Sequence, residues 1–284
     1  PDVRLAKARV SWPSEVQAAL AARIGELGDR AATLRSPPPL NSLQNAGFER
    51  SSADHQIPGW AASQQPGTAA TLDTQSKCEG SRSVKLSSQG PVATLISEPF
   101  DPPPTGRLTM TVRLRGANVP QQPPLRMAVV GKHEGRDFLR FAQLGQGQAD
   151  SPPYGPEWGP IIVQINDLPL EGLSRLQLRF DLLGAGEVWI DDIQLSQLAF
   201  DRKEWRELFK LIAPADLKLQ KGEIGDCIEM LEGYWPRFLV AYVPATPASQ
   251  KSMAAASPLP PPSRSPSPKE SQRSASFMDR MKKY

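Results

Sequence analysis

The chain has 284 residues, 39% of them hydrophobic, and a net charge of +3. That is enough apolar content for one sizeable domain with accessories, or for two small domains. No apolar run approaches the roughly 20 residues that a membrane-crossing helix needs, and two cysteines far apart, Cys78 and Cys227, make neither a disulfide framework nor a metal knuckle.

The charge is uneven. From Ser249 onward, Lys251, Arg264, Lys269, Arg273, Arg280, Lys282 and Lys283 face Glu270 and Asp279, so the tail carries +5 and the rest −2. The body is therefore no basic nucleic-acid platform. Because the chain begins at Pro1, it reads as a piece of a longer protein.

In chain order, Ser14 to Arg35 reads as a helix, with Val16, Leu20, Ile24, Leu27, Ala31 and Leu34 on one stripe. Ser11 and Pro13 give the start signal. Gly25 and Gly28 each weaken it by about 1 kcal/mol relative to alanine. "SPPPL" ends it, since proline lacks the amide donor and clashes with the preceding turn. This makes residues 1–39 a helical segment with a Pro-rich linker.

From residue 40 to 200 the texture changes to short alternating runs between Gly, Pro, Asn and Asp. "TAATLDT", "SRSVKLSS", "VATLISEPF", "LRMAVVG", "DFLRFAQLG" and "PIIVQIND" each fit a strand. In "RLTMTVRLRG", Leu108, Met110, Val112 and Leu114 alternate with Arg107, Thr109, Thr111 and Arg113, one face buried and one wet. "LSRLQLRFDLL" and "GEVWIDDIQLSQL" behave likewise. Many short strands without an intervening helical period predict an antiparallel sandwich or barrel. "LLGAGEVW" joins two such strands and reads as a hairpin turn.

After Phe200 the helical period returns for residues 201–244. Asp201 and Glu204 form a capping box before Trp205, Leu208, Phe209 and Ile212. A second short helix carries Ile224, Cys227, Ile228 and Leu231, and "GYWPRFLVAYVP" closes it. Residues 245–284 are a Ser/Pro-rich basic tail that cannot bury enough surface to offset its ordering entropy, and disorder is expected. "SFMDRMKKY" begins another amphipathic pattern at its end.

Signals for catalysis are weak. His55 and His133 are the only histidines, and neither has a ligand-spaced neighbour. "GQGQAD" lacks the Lys-Ser/Thr ending of a phosphate loop. No Gly-x-Ser-x-Gly elbow occurs. The expectation is a protein without an activity of its own.

Six stretches occur in a particular order: "NAGFE" (Asn45 to Glu49), "IPGW" (Ile57 to Trp60), "CEGSRSVKL" (Cys78 to Leu86), "TGRLTMTVRLRG", "EWGPIIVQINDLP" and "GEVWIDDIQL" (Gly186 to Leu195). Over about 150 residues they resemble the bacterial carbohydrate-binding modules with the galactose-binding-domain-like jelly roll, in particular the group typified by xylan- and glucan-binding modules. The resemblance implies a jelly-roll β-sandwich, flanked here by the N-terminal helix and short C-terminal helices that the periodicity predicts. It implies a non-catalytic module within a larger bacterial protein, extracellular or in the cell envelope, with a polysaccharide or glycan and neighbouring domains as partners. It also implies that the first and last strands lie side by side.

The family commonly carries a structural calcium. The resemblance places it on Glu49, the Lys77 loop and Asp191, with Asp192 on the opposite face and less suited. Ca²⁺ takes six to eight hard oxygens, and the alternative is that the two acids are only hydrogen-bonded at a sheet edge. Sugar faces stack on exposed aromatics, and the candidates are Trp60, Tyr154 and Trp158, each with core packing as the competing role. A second function of a different class is a structural or protein-interaction sandwich with no glycan ligand.

Overall fold

The computed structural model describes residues 12–52, 56–119, 121–145 and 154–244. Ser11, His55, most of "GQGQAD" and the 245–284 tail lie outside them. The described chain falls into two compact units, a sandwich over 38–198 and a helical unit formed by 12–37 with 199–244. The segments expected to be separate, before and after the sandwich, therefore belong together.

The helical unit comprises α1 (Ser14–Thr33), α2 (Arg202–Gln220), α3 (Ile224–Leu231) and α4 (Tyr234–Tyr242). The predicted stripe of α1 is buried at Leu20, Ile24, Leu27 and Ala31, with Leu34 just beyond. Asp201 caps α2 through Lys203 and Glu204 backbone N–H, and Glu204 returns a carboxylate to the Asp201 N–H at 3.0 Å. "YWPRFLVAY" is a helix of its own rather than the close of α3, with Gly233 at its N-cap and Pro236 in its first turn. Arg30 bonds Glu26 at 2.8 Å and donates to the terminal carbonyls of α4 at Leu239, Val240 and Val243. A cation there answers both the unpaired carbonyls and the negative helix end.

The sandwich has ten strands: β1 (Trp60–Ala62), β2 (Thr68–Asp73), β3 (Ser83–Ser88), β4 (Ala93–Ser97), β5 (Leu108–Gly116), β6 (Leu125–His133), β7 (Arg136–Leu144), β8 (Gly159–Ile165), β9 (Gln177–Leu182) and β10 (Gly186–Ser196). They form two five-stranded antiparallel sheets, β1-β4-β9-β6-β7 and β2-β3-β10-β5-β8. This is the expected jelly-roll architecture. One core lies between the sheets, with Met127, Leu178 and Phe180 from the first against Leu86, Val112, Leu114 and Ile190 from the second. The period-two pattern of "RLTMTVRLRG" supplies Leu108, Met110, Val112 and Leu114 to it.

One connection differs from the expectation. β9 pairs with β4 and β6, whereas β10 pairs with β3 and β5, so "LLGAGEVW" is not a hairpin but carries the chain from one sheet to the other. The tight hairpin lies instead between β6 and β7, where Glu134 and Gly135 both have positive φ and His133 pairs with Arg136. That is the twist-matched two-residue turn.

The lead-in to the sandwich runs beside β10. Leu40 N–H donates to Leu195 O at 2.7 Å, and Ile193 N–H to Ala46 O at 3.1 Å. Asn45, at φ 50, ties this turn by bonding the backbone of Arg50 and Pro58. Phe48 is fully buried, 5.2 Å from the Trp60 ring. Gly59, at φ 84, passes so close to Gln44 that a Cβ would sit 2.8 Å from the Gln44 Cβ.

Candidate functional site

The two acids of the resemblance converge on one loop, residues 77–82. Asp191, 1% exposed on β10, accepts N–H from Cys78 at 2.8 Å and Glu79 at 3.1 Å on one oxygen, and from Asp192 at 2.7 Å on the other. Glu49 accepts the Ser81 N–H at 3.0 Å, the Arg82 N–H at 3.3 Å and the Ser81 hydroxyl. Asp73 extends the pattern upstream, accepting N–H from Gln75, Ser76 and the Trp189 indole. The Ser81 hydroxyl leads in holding the Glu49 carboxyl below its usual range, whereas burial pushes Asp191 up. Gly80 beside them has φ 60, and a Cβ there would push the Glu49 carboxylate aside.

A β-bulge between Asp191 and Gln194 puts Asp192 at φ 44 and turns it to Gln194 Nε2 at 2.9 Å and the Arg113 guanidinium at 3.9 Å. The bulge, rather than plain strand alternation, therefore sets the direction of Asp192. Lys77 is exposed at its start. A cation here needs oxygen donors, and the N–H groups already use part of each carboxylate. Oδ1 of Asp191 takes a single N–H and keeps a lone pair, and Glu49 faces solvent. The loop's contacts to both carboxylates are backbone N–H donors, and among the described residues no cluster of three or more His, Cys, Asp or Glu side chains is placed to hold a metal ion.

The three aromatic candidates are not brought together. Trp60 is 8% exposed, packs on Phe48 and Phe180, and donates its indole N–H to Asn45 O at 3.3 Å. Tyr154 is 6% exposed, its hydroxyl bonded to Pro123 O and its phenol pushed up by burial. Both are core residues, closed to a sugar ring; each ring fills space at the end of the sandwich and has its polar atom satisfied by a backbone carbonyl. Trp158 is half-buried just before β8, in the other sheet from β1.

A different surface carries a part-buried aromatic among polar groups. On the β1-β4-β9-β6-β7 sheet, the face turned from the core shows two cross-strand rows. Thr94, Asp181, Arg126 and Gln143 are in register in one, and Ile96, Arg179, Ala128 and Phe141 in the next. Asp181 is fully buried beneath its neighbours. It accepts the Thr94 hydroxyl at 2.7 Å, Arg126 Nε at 2.9 Å and Arg179 Nε at 2.8 Å. The Arg126 guanidinium also lies 6.0 Å from the Phe141 ring centroid. The side chains of Arg126 and Arg179 remain 30% and 38% exposed. Small Ala128 sits between Arg179 and Phe141 in the row and is buried beneath its neighbours.

Sequence reasoning missed this face. The one signal in the sequence is Asp181, which interrupts "RFDLL" between the core residues Phe180 and Leu182. A buried carboxylate is retained only when paired, and the two arginines at registers 126 and 179 are its partners.

No family profile matches the sequence, and no curated protein does. Among solved structures, the CBM22-1 xylan-binding domain of Paenibacillus barcinonensis matches 58% of this chain and 97% of its own, at 12% identity and TM-score 0.42. The family 11 carbohydrate-binding module of Clostridium thermocellum matches 53% of this chain and 95% of its own, at 11% identity and TM-score 0.37. The enzymatically active domain of a bacteriophage CBA120 tailspike protein matches 55% of this chain at 14% identity and TM-score 0.41, and there the match spans 21% of the other chain.

Proposed function

We propose that the sandwich is a non-catalytic carbohydrate-binding-like module that receives its ligand on the outer face of the β1-β4-β9-β6-β7 sheet. One observation carries this reading: a part-exposed Phe141 lies in register with Arg179 and Ala128, beside hydrogen-bonding groups fixed by the buried Asp181. A sugar offers an apolar C–H face to the ring and hydroxyls to the guanidinium and amide groups. Rigid strands, not loops, hold these groups, so little ordering entropy is lost on binding.

Calcium belongs to the same proposal as a structural ion. Glu49 and Asp191 would hold it with carbonyls of the Lys77 loop, tying the lead-in to the last strand. Support comes from the convergence of both acids on one loop and the spare lone pair of Asp191. When bound, the ion supplies cross-linking charge and no chemistry.

A glycan array probed with the full chain, with calcium and with chelator, tests both parts. Retention on glycans that is lost in Phe141→Ala supports the module. Retention on no glycan returns the sandwich to a spacer or protein-docking role. A chelator-induced drop in melting temperature supports the ion, and an unmoved midpoint removes it.

A further inference from the structure

We infer that the ligand of this face carries a negative charge on the sugar itself: an acidic glycan, with a uronic-acid carboxylate seated on Arg126 and Arg179. The inference rests on the proposed binding face and adds the class of glycan. Two guanidiniums converge there on one carboxylate. Asp181 engages Nε and one Nη of Arg126 and only Nε of Arg179. Among the described residues, the remaining Nη groups of both arginines have no hydrogen-bond acceptor, and both side chains reach solvent, with the Arg126 guanidinium also 6.0 Å from the Phe141 ring centroid. Each Arg has five N–H donors in a planar fork that matches a carboxylate bidentately.

Charge on the face points the same way. Lys132 is answered by Asp137 at 2.8 Å, but Arg126 and Arg179 share Asp181 alone. One positive charge is left over, backed by a buried carboxylate that fixes both forks without using them up. Phe141 stands in the same cross-strand row as Arg179, with Ala128 between them, so a pyranose stacked on the ring brings a C6 carboxylate toward the arginines. A neutral sugar would leave this excess unanswered. A sulfated sugar shares the anionic chemistry but presents a tetrahedral rather than a planar group.

The test is calorimetric titration of the full chain with oligogalacturonate, its methyl ester, neutral xylo-oligosaccharide and a sulfated oligosaccharide. Galacturonate and its ester differ in the charge and one methyl group, so this comparison needs no variant. The expected result is binding of the acid about tenfold or more tighter than of the ester, the scale of one lost charge-assisted contact. Raising salt should weaken the acid and not the ester. Arg179→Gln should erase the difference, and Arg179→Lys should restore it only in part; Arg126 and Thr94 still hold Asp181 in both. Equal affinity for acid and ester, or preference for the neutral oligosaccharide, overturns the charge inference while the glycan face stands. Preference for sulfate overturns the carboxylate assignment. Binding of none of the four, together with an empty glycan array, sinks the face itself.

Discussion

Asp191→Ala tests how the sandwich is closed at the 77–82 loop. The carboxylate is 1% exposed and accepts three backbone N–H groups, from Cys78, Glu79 and Asp192. Truncation leaves three donors without an acceptor in a buried place, each costing about 1–3 kcal/mol if unrelieved. Water entering the vacated space relieves part of this, and burial of the charge already offsets some of the native gain. The expected net loss is about 3–5 kcal/mol. In a domain of 150–250 residues that is roughly 6–20 °C of melting temperature. The assay is thermal unfolding in the full chain, followed by tryptophan fluorescence in chelator so that no ion contributes. A loss below about 1 kcal/mol would refute the reasoning, because the loop would then be held by something other than Asp191. Asp191→Asn should cost less than Ala but not nothing, since an amide cannot accept all three bonds. Asp192→Asn, off the loop, should fall within about 0.5 kcal/mol of wild type.

Ile190→Ala, at a fully buried position of β10, should cost about 2–5 kcal/mol in denaturant unfolding, and a change under about 0.5 kcal/mol would place the residue on the wrong face. Gly59→Ala should cost more than about 1 kcal/mol by the same measure, because φ is 84 and the new Cβ meets Gln44. Glu49 has a lowered carboxyl pKa, so its contribution is present above the usual 4.5 and lost as pH falls through the lowered folded value. The difference in midpoint between wild type and Glu49→Gln should therefore shrink on acidification below about pH 4.5, and a difference that grows would reverse the sign.

Most strands could be read because their neighbours in sequence settle them. "RLTMTVRLRG" alternates without exception, but its Arg/Thr face is not wet throughout, since Arg107 and Thr109 are buried. The Asp201–Glu204 box was legible for the same reason, being complete within four residues. Pairing was not. Whether β9 and β10 share a sheet depends on partners some 90 residues away, β4 and β3, and nothing in "LLGAGEVW" itself records them. Phe141 was hidden because "DFLRFAQL" is apolar in both phases, so its inner residue Phe138 and its outer residue Phe141 look alike. Asp181 looked like an interruption of a core run until its register with Arg126 and Thr94 was known. Glu49 and Asp191 came from the resemblance. Their N–H partners could not, because a hydrogen bond to a loop amide leaves no trace in side-chain identity.

The central claim is that the outer face of the β1-β4-β9-β6-β7 sheet holds a glycan, and Phe141→Ala tests it most directly. Because the side chain is part-exposed and turned from the core, the variant should melt close to wild type. Calorimetric affinity for the best glycan found on the array should fall about tenfold or more, equivalent to about 1.4 kcal/mol. Unchanged affinity in a folded Phe141→Ala protein would contradict the account and move the binding surface elsewhere on the molecule.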